Sequence, residues 1–240
     1  MTNALLIAKR DLRAYAHGYS AWLIIAGLLA LEGVFFAAFA MDGERYSHEV
    51  LRDFFYFNWG FGVAASVLLT MRSIAEERRD GTDVLLTTST ATDGQMVIGK
   101  WLAAMAVLAV FTLLSGYLPA LIYVNGKISL AHLAVGYLGV MATVSATSAI
   151  GIFSSSIFRF QLAAGLLTAM LVVTLIVAWI LADITDAPFS NIIAYSALYN
   201  QHYEPFSEGR LSISGLTYFG SITAAFLLLA TRVNEGRRWE

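Results

Sequence analysis

The chain contains no cysteine, and only 13% of its 240 residues are charged. The first absence excludes disulfides, thiolate metal sites and cysteine nucleophiles, and carries no information about redox compartment. The second, set beside 58% apolar content, excludes an ordinary water-soluble domain and points to a membrane protein. A formal net charge of −2 provides no basic field, so nucleic acid is not an expected partner. No Ser, His and Asp constellation and no cluster of metal ligands suggests catalysis or a resident metal. His202 and Glu204 share one short stretch, but two ligands on a loop are weak grounds for a metal. Long internal repeats and low-complexity tracts are also missing.

What is present is a series of long apolar runs. A hydrocarbon core roughly 30 Å thick needs about 20 apolar residues per helix. Six windows approach or exceed that length, at 20–41, 54–71, 100–124, 132–158, 162–182 and 213–231. They predict an all-α polytopic membrane protein with six transmembrane helices, residues 1–240 forming one membrane domain. Ala38-Phe39-Ala40 carries the small-x-small pattern of a cleavage site, but the long leader and Glu32 within the run argue for a retained span.

Lysine and arginine set the expected orientation, because cytoplasmic loops are enriched in them. Lys9, Arg10, Arg13, Arg72, Arg78, Arg79, Lys100, Arg159, Arg232, Arg237 and Arg238 fall on one side, against Arg45, Arg52, Lys127 and Arg210 on the other. Both termini are therefore expected in the cytoplasm. Before the first span, Leu5, Ala8, Leu12, Tyr15 and Ala16 recur at helical spacing with Lys9, Arg10 and Arg13 to one side, which predicts an amphipathic helix in the headgroup region.

Residues Gly94 to Lys100 spell G-x-x-x-x-G-K, most of a phosphate-binding loop. Trp101 occupies the position of the magnesium-binding hydroxyl, and a membrane-length apolar run follows where an α/β domain should be. The chain is not expected to bind ATP. Thr92 and Gln95 instead fit a capping box that opens a helix, with Gly99 and Lys100 marking the water interface. Leu114-Ser115-Gly116-Tyr117, faintly like an ABC ATPase signature, lies inside the third span.

Between the second and third spans, Glu76, Glu77, Arg78, Arg79 and Asp80 form a mixed-sign cluster. Gly81 permits a break, Thr82 and Asp83 suit a helix N-terminus, and Val84, Leu85 and Leu86 supply an apolar edge. Without further information such a run reads as a solvated loop that sets topology.

The pattern A-E-E-R-R-D-G-T-x-x-L-L-x-T from Ala75, followed by G-K-x-L-A from Gly99, resembles the type-2 ABC transporter permeases. It is most similar to their gliding-motility-associated branch, which the tail Arg232-Val233-Asn234-Glu235-Gly236-Arg237-Arg238-Trp239 also resembles. The resemblance implies a half-transporter of six helices in the bacterial cytoplasmic (inner) membrane. It implies export by a pair of permeases, identical or sister chains, driven by two separate ATPase subunits that bind ATP and Mg. In that family the segment from about Glu76 to Thr88 is the coupling helix. Glu76, Glu77, Arg78, Arg79, Asp80, Gly81, Thr82, Asp83, Leu85 and Leu86 are then the candidate ATPase-coupling residues. The amphipathic leader corresponds to the connecting helix, and 183–212 to a short extracellular hairpin. Ser89-Thr90-Ala91 departs from relatives that carry proline there. The short external loops leave any substrate-handling device on that side to a separate periplasmic or auxiliary membrane protein.

Two polar residues stand within the apolar runs. Glu32 lies midway along the first span, where an ionisable side chain is costly and faces a cavity or a partner. It either lines the translocation route, with Asn58 as the second candidate, or is a protonated, hydrogen-bonded structural group near Asn58 or hydroxyls of other spans. A self-contained secondary transporter or channel built on Glu32 is the alternative to the ATP-driven permease, although such folds show repeats and broken helices that this sequence lacks. Gly136, Gly139, Ser145, Thr147, Ser148, Gly151, Ser154, Ser155 and Ser156 in the fourth span read as packing residues.

Overall fold

The computed structural model describes residues 2–40, 46–82, 91–125, 128–186 and 189–237. Every regular element among them is helical. Helix α1 covers Thr2–His17, and α2, Tyr19–Phe35, runs on into a π-helical turn, Phe36–Ala40. Helix α3, Ser47–Thr70, is followed by the short α4, Ala75–Arg79. Next come α5, Asp93–Leu114, and α6, Tyr117–Asn125. Helices α7, Leu130–Ile157, and α8, Gln161–Ile184, precede an irregular hairpin made of α9, Phe189–Ser196, a π-helical turn, Leu198–Tyr203, and α10, Glu204–Ser207. Helix α11, Ile213–Arg237, closes the order.

Among the described residues, six helical stretches are long and apolar enough to cross a membrane: Tyr19–Ala40, Ser47–Arg79, Asp93–Tyr123, Leu130–Ile157, Gln161–Ile184 and Ile213–Arg237. All six coincide with the apolar runs of the sequence. The second and third begin about seven residues earlier than those runs, since hydropathy marks the hydrocarbon layer whereas a helix continues through the polar interface. Half or more of the apolar windows of α3, α5 and α7 is buried, against 28% or less for α2, α8 and α11. The first three are the centre of the bundle.

Helix α7 holds the centre together by being thin. At Gly136 a Cβ would lie 2.2 Å from the Phe55 ring, so only glycine admits that aromatic. Phe54, Phe55, Leu69, Leu108, Phe111 and Ile150 fill the space around it. In lipid such burial gains little transfer free energy, because the tails are as apolar as the core, and close packing and interhelical hydrogen bonds carry the association. Ser66 donates to Thr147 Oγ1 at 2.7 Å, a bond of the kind worth about 0.6 kcal/mol on average. The small and polar residues of the fourth span are packing residues in this sense.

The third span breaks at Ser115-Gly116. Pro119 has no N–H for the Ser115 carbonyl and its ring would crowd that group, so Leu118 N bonds Ser115 O at 3.1 Å in a tighter turn. At the end opposite α4, the hairpin is pinned by Tyr203, whose hydroxyl donates to Phe55 O at 2.8 Å. His202 stacks on Tyr218 with centroids 3.7 Å apart, and its Nε2 bonds Tyr195 O at 2.8 Å. A carbonyl only accepts, so Nε2 carries the hydrogen. Burial lowers the His202 pKa from its ordinary value.

Candidate functional site

The charged cluster forms α4 itself. Its first amides are capped from another helix: Ser155 Oγ of α7 accepts from Ile74 N and Ala75 N, both at 2.9 Å, and donates to Met71 O at 3.2 Å. The helix ends on Gly81, at φ 69°. Thr82 N reaches back to Glu77 O at 2.9 Å and Gly81 N to Arg78 O at 3.4 Å, the pair of bonds that defines a Schellman closure. Gly81 is therefore the break that the sequence suggests. Thr82 completes the closure of α4, and the helix start expected at Thr82 and Asp83 runs into 83–90, outside the described residues. Asp83, Leu85 and Leu86 lie outside the described residues.

The inner face of α4 is fastened at several points. Arg78 donates to the carbonyl of Ser156 at the end of α7 and to Asn234 Oδ1 on α11. Glu77 Oε2 meets Lys100 Nζ of α5 at 2.8 Å. The same ammonium reaches Asp11 Oδ2 of α1 at 3.1 Å and Ser73 O at 2.9 Å, so its three donors have three acceptors. Arg10 completes the junction, with Nη2 2.6 Å from Glu77 and 2.7 Å from Asp11. Burial works against the charged guanidinium, but the two carboxylates outweigh it and hold the Arg10 pKa above its ordinary value.

Lys100 does not reach open water, as its place at the edge of an apolar run suggests; it is 2% exposed. The correction has a steric cause. A Cβ at Gly99 would lie 2.7 Å from Ala4 O and 2.9 Å from Ile7, so the glycine lets α1 settle onto α5 and cover the lysine. The Gly-Lys pair that imitates a phosphate loop seats a helix. Helix α1 turns accordingly. Ala4 and Ile7 are buried, Tyr15 is half-buried and donates to Leu69 O at 3.2 Å, and burial raises its pKa. Of the expected apolar stripe, Leu5, Leu12 and Ala16 are exposed, because Asp11 and Lys100 select the inner face.

The outer face of α4 differs. Arg79 and Asp80 are exposed and 3.1 Å from each other, and Gly81 and Thr82 are exposed beside them. Glu76 is half-buried against Arg72 at 3.1 Å, which also bonds Ser20 at the start of α2 at 2.9 Å. A cleft of about 210 Å³ between α1 and α4 is lined by Tyr15, Arg72, Glu76, Asp80 and Thr82 among others. Of the residues named from the sequence, Glu77 and Arg78 thus serve the internal junction, and Arg79, Asp80, Gly81 and Thr82 face out. Asp11, Ser155 and Asn234 were not singled out for this site. The visible signals were an acid among the bases of the leader and a run of three serines at a span's end.

Glu32 and Asn58 meet inside the bundle. Asn58 Nδ2 donates to Glu32 Oε1 at 2.8 Å and to Ser115 Oγ, in the break of the third span, at 2.7 Å. Both residues are fully buried in this conformation.

Among the described residues, the arrangement is that of a membrane bundle carrying a small charged helix braced from within and exposed on its outer side, with no nucleotide-binding fold. A family model for ABC-2 family transporter proteins matches residues 15–233. Comparison with curated proteins gives no match. The match takes in both the bundle and the braced helix, and with it this multi-pass chain belongs to the ABC-2 transporter family, as a membrane permease component rather than an ATPase.

Proposed function

We propose that the chain is the permease subunit of an ATP-binding-cassette exporter, acting as one domain over 1–240 and paired with a second permease, the same or a sister chain. Two separate ATPase subunits bind ATP and Mg and supply the work. The observation that carries this reading is the asymmetry of α4. Its inner face is tied to α1, α5, α7 and α11, so a displacement imposed on its outer face would be passed to four helices at once. Arg79, Asp80 and Thr82, with the following Asp83, Leu85 and Leu86, would form the docking face, with Glu76 lining the cleft beside it and Glu77 and Arg78 the brace behind it.

Docking of ATPases puts α4 and both termini in the cytoplasm, which the distribution of Lys and Arg supports, and the membrane is then the bacterial inner membrane. The sequence pattern favours the gliding-motility-associated branch. A separate periplasmic or auxiliary membrane protein would handle substrate outside. Exposure of Glu32 and Asn58 to a translocation route would require α2 to part from α3. Family membership favours this reading over a self-contained transporter built on Glu32.

The test is co-purification from cells that co-express the genomic neighbours. Wild type should bring down an ATPase, and an Arg79→Glu/Asp80→Lys variant, altered only on the outer face, should lose it while remaining folded. Retention of the ATPase by the variant would refute the docking assignment. Glu77 is unsuited to this test, since changing it breaks the internal junction.

A further inference from the structure

The Glu32 and Asn58 pair leaves an informative remainder. Both hydrogens of the Asn58 amide are spent, on Glu32 Oε1 and Ser115 Oγ, and the Ser115 hydrogen goes to Thr112 O at 2.8 Å. Among the described residues, two buried atoms of this pair are then without a partner, Glu32 Oε2 and Asn58 Oδ1. If the carboxyl is ionised, both are acceptors and neither can help the other. If it carries a proton on Oε2, the remainder becomes one donor and one acceptor on residues already joined by a hydrogen bond. An acid and a primary amide can close such a pair on both arms, directly or through one water.

The surroundings favour the same state. Among the described residues no Lys, Arg or His forms an ion pair with Glu32. The titratable groups within electrostatic range are phenols, Tyr117 on α6, Tyr137 on α7 and Tyr203 of the hairpin, and phenols are uncharged near neutral pH. Asn58 and Ser115 contribute only dipoles. A carboxylate at this depth with one hydrogen bond and no cation is among the most costly arrangements a bilayer-spanning helix can hold.

We propose that Glu32 is a proton-binding site, a neutral carboxylic acid paired with the Asn58 amide whenever α2 is packed on α3, and ionised only when that contact opens to water. The proposal concerns the chain alone and does not rest on ATPase docking. The proton adds to Glu32 Oε2 from solvent and returns to it, with no other reactant.

The test is infrared spectroscopy of the full chain in lipid bilayers at neutral pH, wild type minus Glu32→Gln. The expected result is a protonated-acid carbonyl band in wild type, shifted by carbon-13 glutamate labelling and lost in the variant. Glu32→Gln, which keeps one donor and one acceptor, should melt close to wild type, whereas Glu32→Ala should melt well below it. Absence of the band from folded wild type would overturn the proposal, as would a band that appears only when sodium is withdrawn, which would give the free oxygens to a cation. Glu32→Gln melting as low as Glu32→Ala would overturn it too.

Discussion

Two of the places where this molecule buries ionisable groups neutralise them differently. At the basic end, Lys100 is enclosed by Asp11, Glu77 and a backbone carbonyl, with Arg10 closing the circuit. Midway along the bundle, Glu32 has an amide and, among the described residues, no cation. The first site lies where α1 can be laid over the helix ends, so opposite charges from three elements converge and the junction becomes mechanical. The second lies where a facing lysine would itself be costly, and neutral partners take over. Charge pairing suits a part that must hold its neighbours in register; an acid and an amide suit a contact between two spans that can separate without stranding a cation.

The largest test of this contrast is Lys100→Met. Removing one partner of a buried pair costs about 3–5 kcal/mol because the other charge is left behind, and here two carboxylates would be left facing each other. Thermal unfolding in lipid should show the loss, and adding Asp11→Asn with Glu77→Gln should restore most of it. Next comes Asn58→Ala, which strands Glu32 Oε1 and takes a donor from Ser115, at about 1–3 kcal/mol for an unsatisfied buried group. If it cost as much as Lys100→Met, the two sites would not differ in kind.

Smaller effects sharpen the picture. Ser155→Ala removes the cap of α4, a change worth about 1 kcal/mol, and amide exchange at Ile74 and Ala75 should quicken while α5 is unchanged. Smallest is Arg52→Ala at the opposite end, where the 3.5 Å pair with Glu204 is 52% and 35% exposed. Exposed pairs are worth about 0–1 kcal/mol, and the melting temperature should scarcely move.

The six spans were legible because a bilayer imposes length and hydropathy on each helix separately, which is local information. The capping box at Thr92 and Gln95 was legible for the same reason: the Gln95 amide meets Thr92 Oγ1 at 3.3 Å and the Thr92 amide meets Gln95 Oε1 at 3.2 Å. Asn58 could be named as a neighbour of Glu32 because few polar residues occur in the spans. The brace of α4 was not legible. Asp11 and Lys100 are 89 residues apart and Ser155 caps an amide 81 residues away, and no periodicity encodes such meetings. The face of α1 that packs on α5 was not legible: the apolar stripe lies outward, as a stripe meant for the headgroup region would, while a glycine, an aspartate and a lysine settle what lies inward.

The most direct test of the central claim, that the outer face of α4 receives an ATPase, is photo-crosslinking in the complex co-expressed with its genomic neighbours. A photoreactive residue is placed at Asp80, and in a second chain at Glu204 on the opposite end. The account predicts an adduct with an ATP-binding subunit from position 80 and none from position 204. An ATPase adduct from position 204, or none from position 80 in a complex that retains the ATPase, would contradict it.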